Sequence, residues 1–337
     1  VEGVHCRMIP PSPPPLRWKA ESYFQTRLTA GEGIEPFLGI RRFRVNVAGE
    51  SAREHVFVQF FYKNGFHQSN DDHVWLHDVS WRRRTDGGTL TLGQFRPAFG
   101  RQRLTGDRDL LLVDRALASD AFVPAGGMSS SFARDVGAQW ETRFAPGWTG
   151  FAGVFRGNGS VLQGRVGHGG PVMVARALRR FGTDKRFLEW GGAVATRDNR
   201  GRDFSRAFPG LSDFHGRDTR FSAEVGFRSG AWRGGAEWLA ARFDGEGGSP
   251  DRRAQGGYVE AARGLGPGLE AVGMVQFHDP DRRVVDRNDL RGVSLGVNWT
   301  PPGTRDRWQI DYVVRRERAN PVANDAVQVQ YQRFLTH

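Results

Sequence analysis

Apolar and polar side chains alternate with a period of two through almost the whole of this chain, and that rhythm constrains the fold more than any other feature. From Leu16 to Leu28, Trp18, Ala20, Phe24 and Leu28 share one face, while Arg17, Lys19, Glu21, Gln25 and Arg27 share the other. In Phe132–Phe144 the apolar set is Phe132, Val136, Ala138, Trp140 and Phe144, set against Asp135, Gln139, Glu141 and Arg143. Thr219–Arg228 and Arg307–Arg315 repeat the pattern, with Phe221, Ala223, Val225 and Phe227 in the first and Trp308, Ile310, Tyr312 and Val314 in the second. Strand spacing fits these segments and helical spacing does not. About sixteen of them follow one another, centred near residues 22, 42, 59, 78, 92, 138, 153, 176, 190, 224, 237, 259, 273, 296, 311 and 330. Those near 176 and 259 alternate least cleanly.

The connections alternate too. GESAR, RTDGG, APGW, FGTD, SGAW, LGPG and PPGTRD are tight turns, whereas NGFHQSNDD and NRGRDFSRAFPGLSDFHGRD are longer and more polar. Short turns on one rim and longer loops on the other is the layout of a barrel that spans an outer membrane. A soluble sandwich also alternates, but one of this length divides into two domains, and no linker composition follows residue 15. The polar face carries charges that a dry sandwich core cannot hold unpaired, whereas a sixteen-stranded barrel has room for water. The apolar face is rich in Trp, Phe and Tyr toward segment ends, as lipid-interface girdles require. The expected fold is therefore all-β: a sixteen-stranded antiparallel transmembrane β-barrel over 16–337, behind a Pro-rich leader, 1–15, that ends in PPSPPP. The N-terminus and residues 82–87 are expected on the short-turn rim. The chain begins at Val1 without methionine, so a bacterial outer-membrane location implies a signal peptide already removed. At the other end, NDAVQVQYQRFLTH places Phe334 three residues short of the end, where such barrels usually finish on an aromatic.

The formal charge is +11, and lysine occurs only at Lys19, Lys63 and Lys185. Arginine grips oxyanions through a planar fork, so an anionic partner accounts for this bias, as does a high-GC genome. Cys6 is the only cysteine, which leaves no intrachain disulfide and no cysteine metal site. The nine histidines form no HxxxH or HExxH pattern, no glycine cluster opens a helix after a buried strand, and MSSS at 128–131 has no histidine and acid set beside it. No metal, cofactor or enzymatic activity is expected. The aromatics face lipid rather than an exposed basic sheet, which argues against nucleic acid.

One stretch interrupts the rhythm. Between GQFRPAFG and SFARDVGAQW, residues 97–130 hold no comparable alternation and no glycine from 107 to 125. Ordinary connections run about 4–6 residues, so this is read as an ordered third loop folded into the lumen, with a helical turn near Asp109–Ala116. The loop carries Asp107, Asp109, Asp114 and Asp120 close to arginines, which implies that some of its arginines are paired; Arg103 has no adjacent acid and is expected at the pore. In the fifth outer loop Arg200, Arg202 and Arg206 form an entry funnel, a contact for lipopolysaccharide phosphates, or ordinary loop charge. RRR at 82–84 reads as a solvated rim.

GIRRFRVNVAG (39–49), VWLHDVSW (74–81), TLGQFRPAFGRQRL (91–104), LLLVDRALASDAF (110–122) and FARDVGAQW (132–140), in that order and spacing, resemble the phosphate-selective porin O and P family. The resemblance implies an outer-membrane channel, usually trimeric, that passes small anions. It also implies an arginine pair on the second strand (Arg41 and Arg42), an aspartate on the fourth (Asp78), a basic residue on the inward loop (Arg103, where the family has lysine) and a later loop arginine (Arg115). The function expected is passive diffusion of small anions such as phosphate, by a homotrimer set in outer-membrane lipid or lipopolysaccharide. The alternative is a structural barrel with a blocked lumen, a scaffold or anchor in an envelope complex. Rings of arginine give anion selectivity provided that no site holds the ion too tightly.

Overall fold

The computed structural model describes residues 15–63, 73–124, 126–128, 133–159, 169–286 and 288–335. The leader with Cys6 lies outside them, as do parts of 97–130 and of MSSS. The strands are β1 (Arg17–Gly31), β2 (Ile34–Glu50), β3 (Glu54–Lys63), β4 (His73–Thr85), β5 (Gly88–Phe95), β6 (Asp135–Ala145), β7 (Trp148–Phe155) and β8 (Val172–Gly182), then β9 (Phe187–Arg202), β10 (Phe214–Ser229), β11 (Trp232–Gly245), β12 (Arg252–Gly266), β13 (Leu269–Asp279), β14 (Leu290–Trp299), β15 (Arg307–Glu317) and β16 (Ala326–Phe334). Each of the sixteen expected centres falls inside one strand. Neighbours pair antiparallel, and β1 closes on β16 from Tyr23↔Phe334 to Gly31↔Ala326. Closure leaves no open edge, so strand N–H and C=O groups are satisfied within the protein, as lipid demands.

Arg17 pairs with Glu50 beside the turn at 51–53, so the start of β1 and residues 82–87 share the short-turn rim. The loop-length alternation fails most plainly at the first connection: β1 and β2 stay paired to Gly31↔Ile34 and turn through Glu32 and Gly33, with Gly33 at φ 64°. Glycine occupies that left-handed conformation without penalty. The first outer connection is thus a two-residue hairpin.

Lipid-facing side chains are apolar, as the alternation requires. Trp18, Leu295 and Ile310 are more than half exposed on the outside, while Gln25, Arg27, Gln309 and Asp311 on the same or neighbouring strands are buried inside. Aromatics collect near the short-turn rim, where Trp148 meets Trp190 at 5.4 Å and Trp308 meets Tyr331 at 4.5 Å. Phe334 takes the other face. Its ring lies 5.6 Å from Tyr23, with the Arg305 guanidinium 3.9 Å above it.

The lumen departs from the polar tube read from sequence. Phe95, Phe155, Val172, Val174, Leu239 and Phe243 point inward from the wall and form one buried cluster with Phe122, Met128, Phe204, Phe208 and Leu211 from the loops after β5 and β9. One side of the lumen is therefore a dry core built from wall and loops together.

Candidate functional site

The loop after β5 is held to the wall by side chains from many strands. Its first helix, α1 (Arg101–Leu104), has its N-terminal N–H groups capped by Glu237 of β11: Arg101 N–H at 2.8 Å and Gln102 N–H at 3.4 Å. The Arg101 guanidinium reaches Glu189 at 3.3 Å and lies over Gly226 and Gly235, where any Cβ would collide with it. A 3-10 turn spans Asp107–Asp109, and a second helix, α2 (Leu117–Ala121), packs on β12 and β13. The helical turn expected near Asp109–Ala116 is displaced: helical geometry falls on either side, and Leu110–Val113 is non-helical. The cause is competition for its backbone. Asp311 accepts the Val113 N–H at 2.6 Å, while Asn298 donates to the Leu111 carbonyl at 2.8 Å and Gln309 to it at 3.3 Å. The side chains of Leu110, Leu111, Leu112 and Val113 are buried beneath.

Against this loop stands an arginine wall. Adjacent residues of a regular strand face opposite sides, yet Arg41 and Arg42 both turn inward. The register explains it: Gln25 pairs with Arg42 and Thr26 with Ile40, so Arg41 is the extra residue of a β-bulge. Arg42 approaches Asp107 at 3.5 Å, and Arg44 closes on the same carboxylate. Arg115 reaches the other Asp107 oxygen at 2.5 Å and also donates to the Thr105 carbonyl at 2.8 Å. Burial alone would raise the Asp107 carboxyl, but Arg115, Arg44 and Arg42 outweigh it and hold it well below the usual carboxylate range. Asp114 binds Arg27 at 2.8 Å, Arg41 at 3.6 Å and the Gln328 amide at 2.9 Å. Asp78 takes Arg134 at 2.9 Å.

All five expected lumen residues are thus inside the barrel, and all five are ion-paired. Arg103 forms its ion pair with Asp120, seventeen residues away in sequence, so the lack of an adjacent acid does not leave it free. Arg200 and Arg206 are exposed, whereas Arg202 is half-buried, donating to the Gly157 carbonyl at 3.4 Å beside the Phe204 ring. The structure does not gather these three into one cluster.

Arg96 is the residue that sequence reading passed over. It follows β5 directly and donates to the carbonyls of Arg103 at 2.7 Å and Thr105 at 3.0 Å. Among the described residues it forms no ion pair. The signal available was Pro97, which holds the preceding residue extended. On the side of the loop that faces β1, β2 and β4, Arg27, Arg41, Arg42, Arg44, Arg96, Arg103, Arg115 and Arg134 stand with Asp78, Asp107, Asp114 and Asp120, while the other side of the loop meets the carboxylates of Glu189, Glu237, Glu260 and Asp311. Below the 3-10 turn, a cavity of about 590 Å³ is lined by both signs of charge: Lys19, Arg44, Arg82, Arg96, Arg108 and Arg305 with Glu21, Glu50, Asp107 and Asp109. A second, of about 490 Å³, shares Arg108 and Arg305 and adds Arg233 and Arg307.

A closed sixteen-stranded barrel with an internal loop and a lumen lined by charged side chains defines a porin, a channel protein of the outer membrane. The sequence matches the phosphate-selective porin O and P family over residues 29–334, and the chain belongs to that family. Similar folds include an anion-selective porin from Comamonas acidovorans, with TM-score 0.67 and 10% identity over 95% of this chain and 100% of that one. The outer membrane channel DcaP of Acinetobacter baumannii gives 0.65 and 10% over 95% and 98%. OmpT of Vibrio cholerae, an outer membrane protein in its trimer form, gives 0.64 and 12% over 95% and 100%. At these identities the likeness is one of fold. No curated protein matches the chain significantly.

Proposed function

We propose that this porin is a trimeric diffusion channel for small oxyanions such as phosphate, with 97–130 as its constriction and Arg41, Arg42, Arg96, Arg103 and Arg115 setting its field. The observation that carries this reading is the arginine-rich side of the lumen between the loop and β1, β2 and β4, with Arg96 left without a carboxylate partner among the described residues. Low-dielectric walls focus that field on a passing ion. Arginine forks replace part of the anion's hydration, and the four aspartates keep the attraction modest enough for release. Arg200, Arg202 and Arg206 act on entry from outside; Asp78 positions Arg134. Residues 1–15 are a Pro-rich leader to the 16–337 barrel. The outer face contacts lipid and lipopolysaccharide. No bond is made or broken.

The test is reversal potential across a potassium chloride gradient in planar bilayers, where chloride is expected to permeate more readily than potassium. Cation selectivity in the wild type would overturn the reading. A second reading, a scaffold barrel with a blocked lumen, is favoured by the dry cluster around Phe122, Phe204 and Phe243. Absence of any conductance would select it.

A further inference from the structure

On the outer face of β11 and β12 the cross-strand pairs run, from the long-loop rim inward, Arg242–Arg253, Ala240–Gln255, Trp238–Gly257 and Ala236–Val259. Like charges directly opposite one another are destabilising. Arg242 is relieved by Asp244 at 2.6 Å. Arg253 is exposed and forms no ion pair among the described residues; nor does exposed Arg282, whose N–H donates to the Arg253 carbonyl at 2.9 Å. Asp279 faces the same surface opposite Gln255. Arg242, Arg253 and Arg282 share this rim with the carboxylates of Asp244, Glu246, Asp251 and Asp279, and among the described residues Arg253 and Arg282 are the two of these guanidiniums without an ion pair. At the opposite end of the same ladder, Arg263 already has a partner, lying 5.4 Å over the Trp232 ring. On this ladder the exposed guanidiniums without a partner among the described residues therefore lie at the outer end.

Directly inward of that rim a groove of about 570 Å³ crosses β10–β13. Ala223, Ala236 and Gly257 leave its floor low, and Trp238 and Phe277 form its walls. Its lipid-facing lining is apolar. Four strand residues separate Trp238 from Arg242, roughly 13 Å, which is the offset expected between an acyl chain in the hydrocarbon and a phosphate at the membrane surface.

We propose that this face binds one phosphorylated, acylated glycolipid of the outer leaflet, with an acyl chain in the groove and a phosphate held by Arg253 and Arg282, with Arg242 beside them. The inference rests on the reading of the barrel as an outer-membrane porin, because that reading turns the long-loop rim toward the leaflet whose phosphates are carried on such lipids.

The full chain, purified in mild detergent and stripped of lipid, is titrated with bisphosphorylated, hexa-acylated lipid A and followed by native mass spectrometry. One saturable adduct per chain is expected. Arg253→Glu combined with Arg282→Glu is expected to weaken it at least tenfold, and Ala236→Phe, which fills the groove, by a similar factor. Dephosphorylated lipid A is expected to bind at least tenfold more weakly than the parent. Equal binding with or without phosphate, or no effect of the double charge reversal, overturns the site. Phosphatidylglycerol binding as tightly as lipid A overturns the glycolipid assignment. A changed oligomeric mass in Ala236→Phe, with lipid binding intact, gives the groove to a second copy of the chain instead. Reversal potential in these variants is expected to equal that of the wild type, so failure of the lipid site is distinguishable from failure of the channel reading.

Discussion

Arg96 donates to the carbonyl oxygen of Arg103 at 2.7 Å, so a guanidinium without a carboxylate holds the backbone of one whose own charge is turned to Asp120. The two cations therefore differ in what they offer an ion. A paired arginine and aspartate largely cancel at a distance, whereas an unpaired charge about 4 Å from a monovalent anion contributes roughly 4 kcal/mol at an effective dielectric near 20, before dehydration is subtracted. Arg96→Gln is expected to lower the chloride-to-potassium permeability ratio severalfold. The charge-neutral double variant Arg103→Gln, Asp120→Asn is expected to leave it nearly unchanged. Reversal potentials for the two proteins decide; equal shifts would show that Arg103 carries the selectivity after all.

The Asp107 carboxylate fastens the loop to Arg42, Arg44 and Arg115. Removing one partner of such a buried network costs about 3–5 kcal/mol, so Asp107→Asn is expected to lower the thermal midpoint in detergent at pH 7. The folded carboxyl sits below its ordinary value of 3.8. Its contribution is thus complete above that pH and is lost as pH falls through the folded value. The gap between wild type and Asp107→Asn should therefore be as large at pH 5 as at pH 7 and narrow only under strongly acid conditions. A gap that closes between pH 7 and pH 5 would mean that a different group supplies it.

Arg101 needs bare backbone beneath it. Gly226 and Gly235 supply this, and Glu189 and Glu237 bind the guanidinium and the adjoining N–H groups. Gly226→Val is expected to lift α1 from the wall while the ladder bonds of β10 persist. The readout is single-channel current, predicted to become noisier and changed in mean, with heat-stable barrel circular dichroism retained. Current traces indistinguishable from wild type would show that the seat does not position the loop.

The strands were legible because lipid outside and water or polar contacts inside impose opposite chemistry on alternate residues, which single-sequence periodicity records directly. The lumen was less so. Arg41 and Arg42 cannot both face inward on a regular strand, and nothing in GIRRFR announces the bulge that lets them; only the likeness to a family placed the pair there. Arg103 has its counter-ion on another turn of the same loop rather than beside it in sequence, a pairing that adjacency in sequence does not reveal. Phe204 and Phe208 sit in a stretch rich in Arg, Asp and Gly, which reads as solvated loop, and their burial depends on Phe243 two strands of sequence later.

That last contact separates an open channel from a plugged scaffold. Phe243 meets Phe204 at 4.9 Å, Phe208 at 5.2 Å and Phe214 at 5.8 Å, each ring edge to face with its neighbour. Truncating a buried phenylalanine to alanine costs about 3–5 kcal/mol, and here the loss falls on the loop after β9 rather than on the ladder, whose backbone bonds close without it. In a working channel, conduction follows the arginine side of the lumen. Phe243→Ala should then raise an existing single-channel conductance modestly, lower the thermal midpoint and leave anion preference in place. In a blocked barrel the wild type would be silent, and conductance would first appear in the variant. Planar-bilayer recordings of both proteins at the same salt distinguish these outcomes, and a wild-type channel whose conductance and stability are untouched by Phe243→Ala would show that the aromatic cluster neither braces the loops nor bounds the pore.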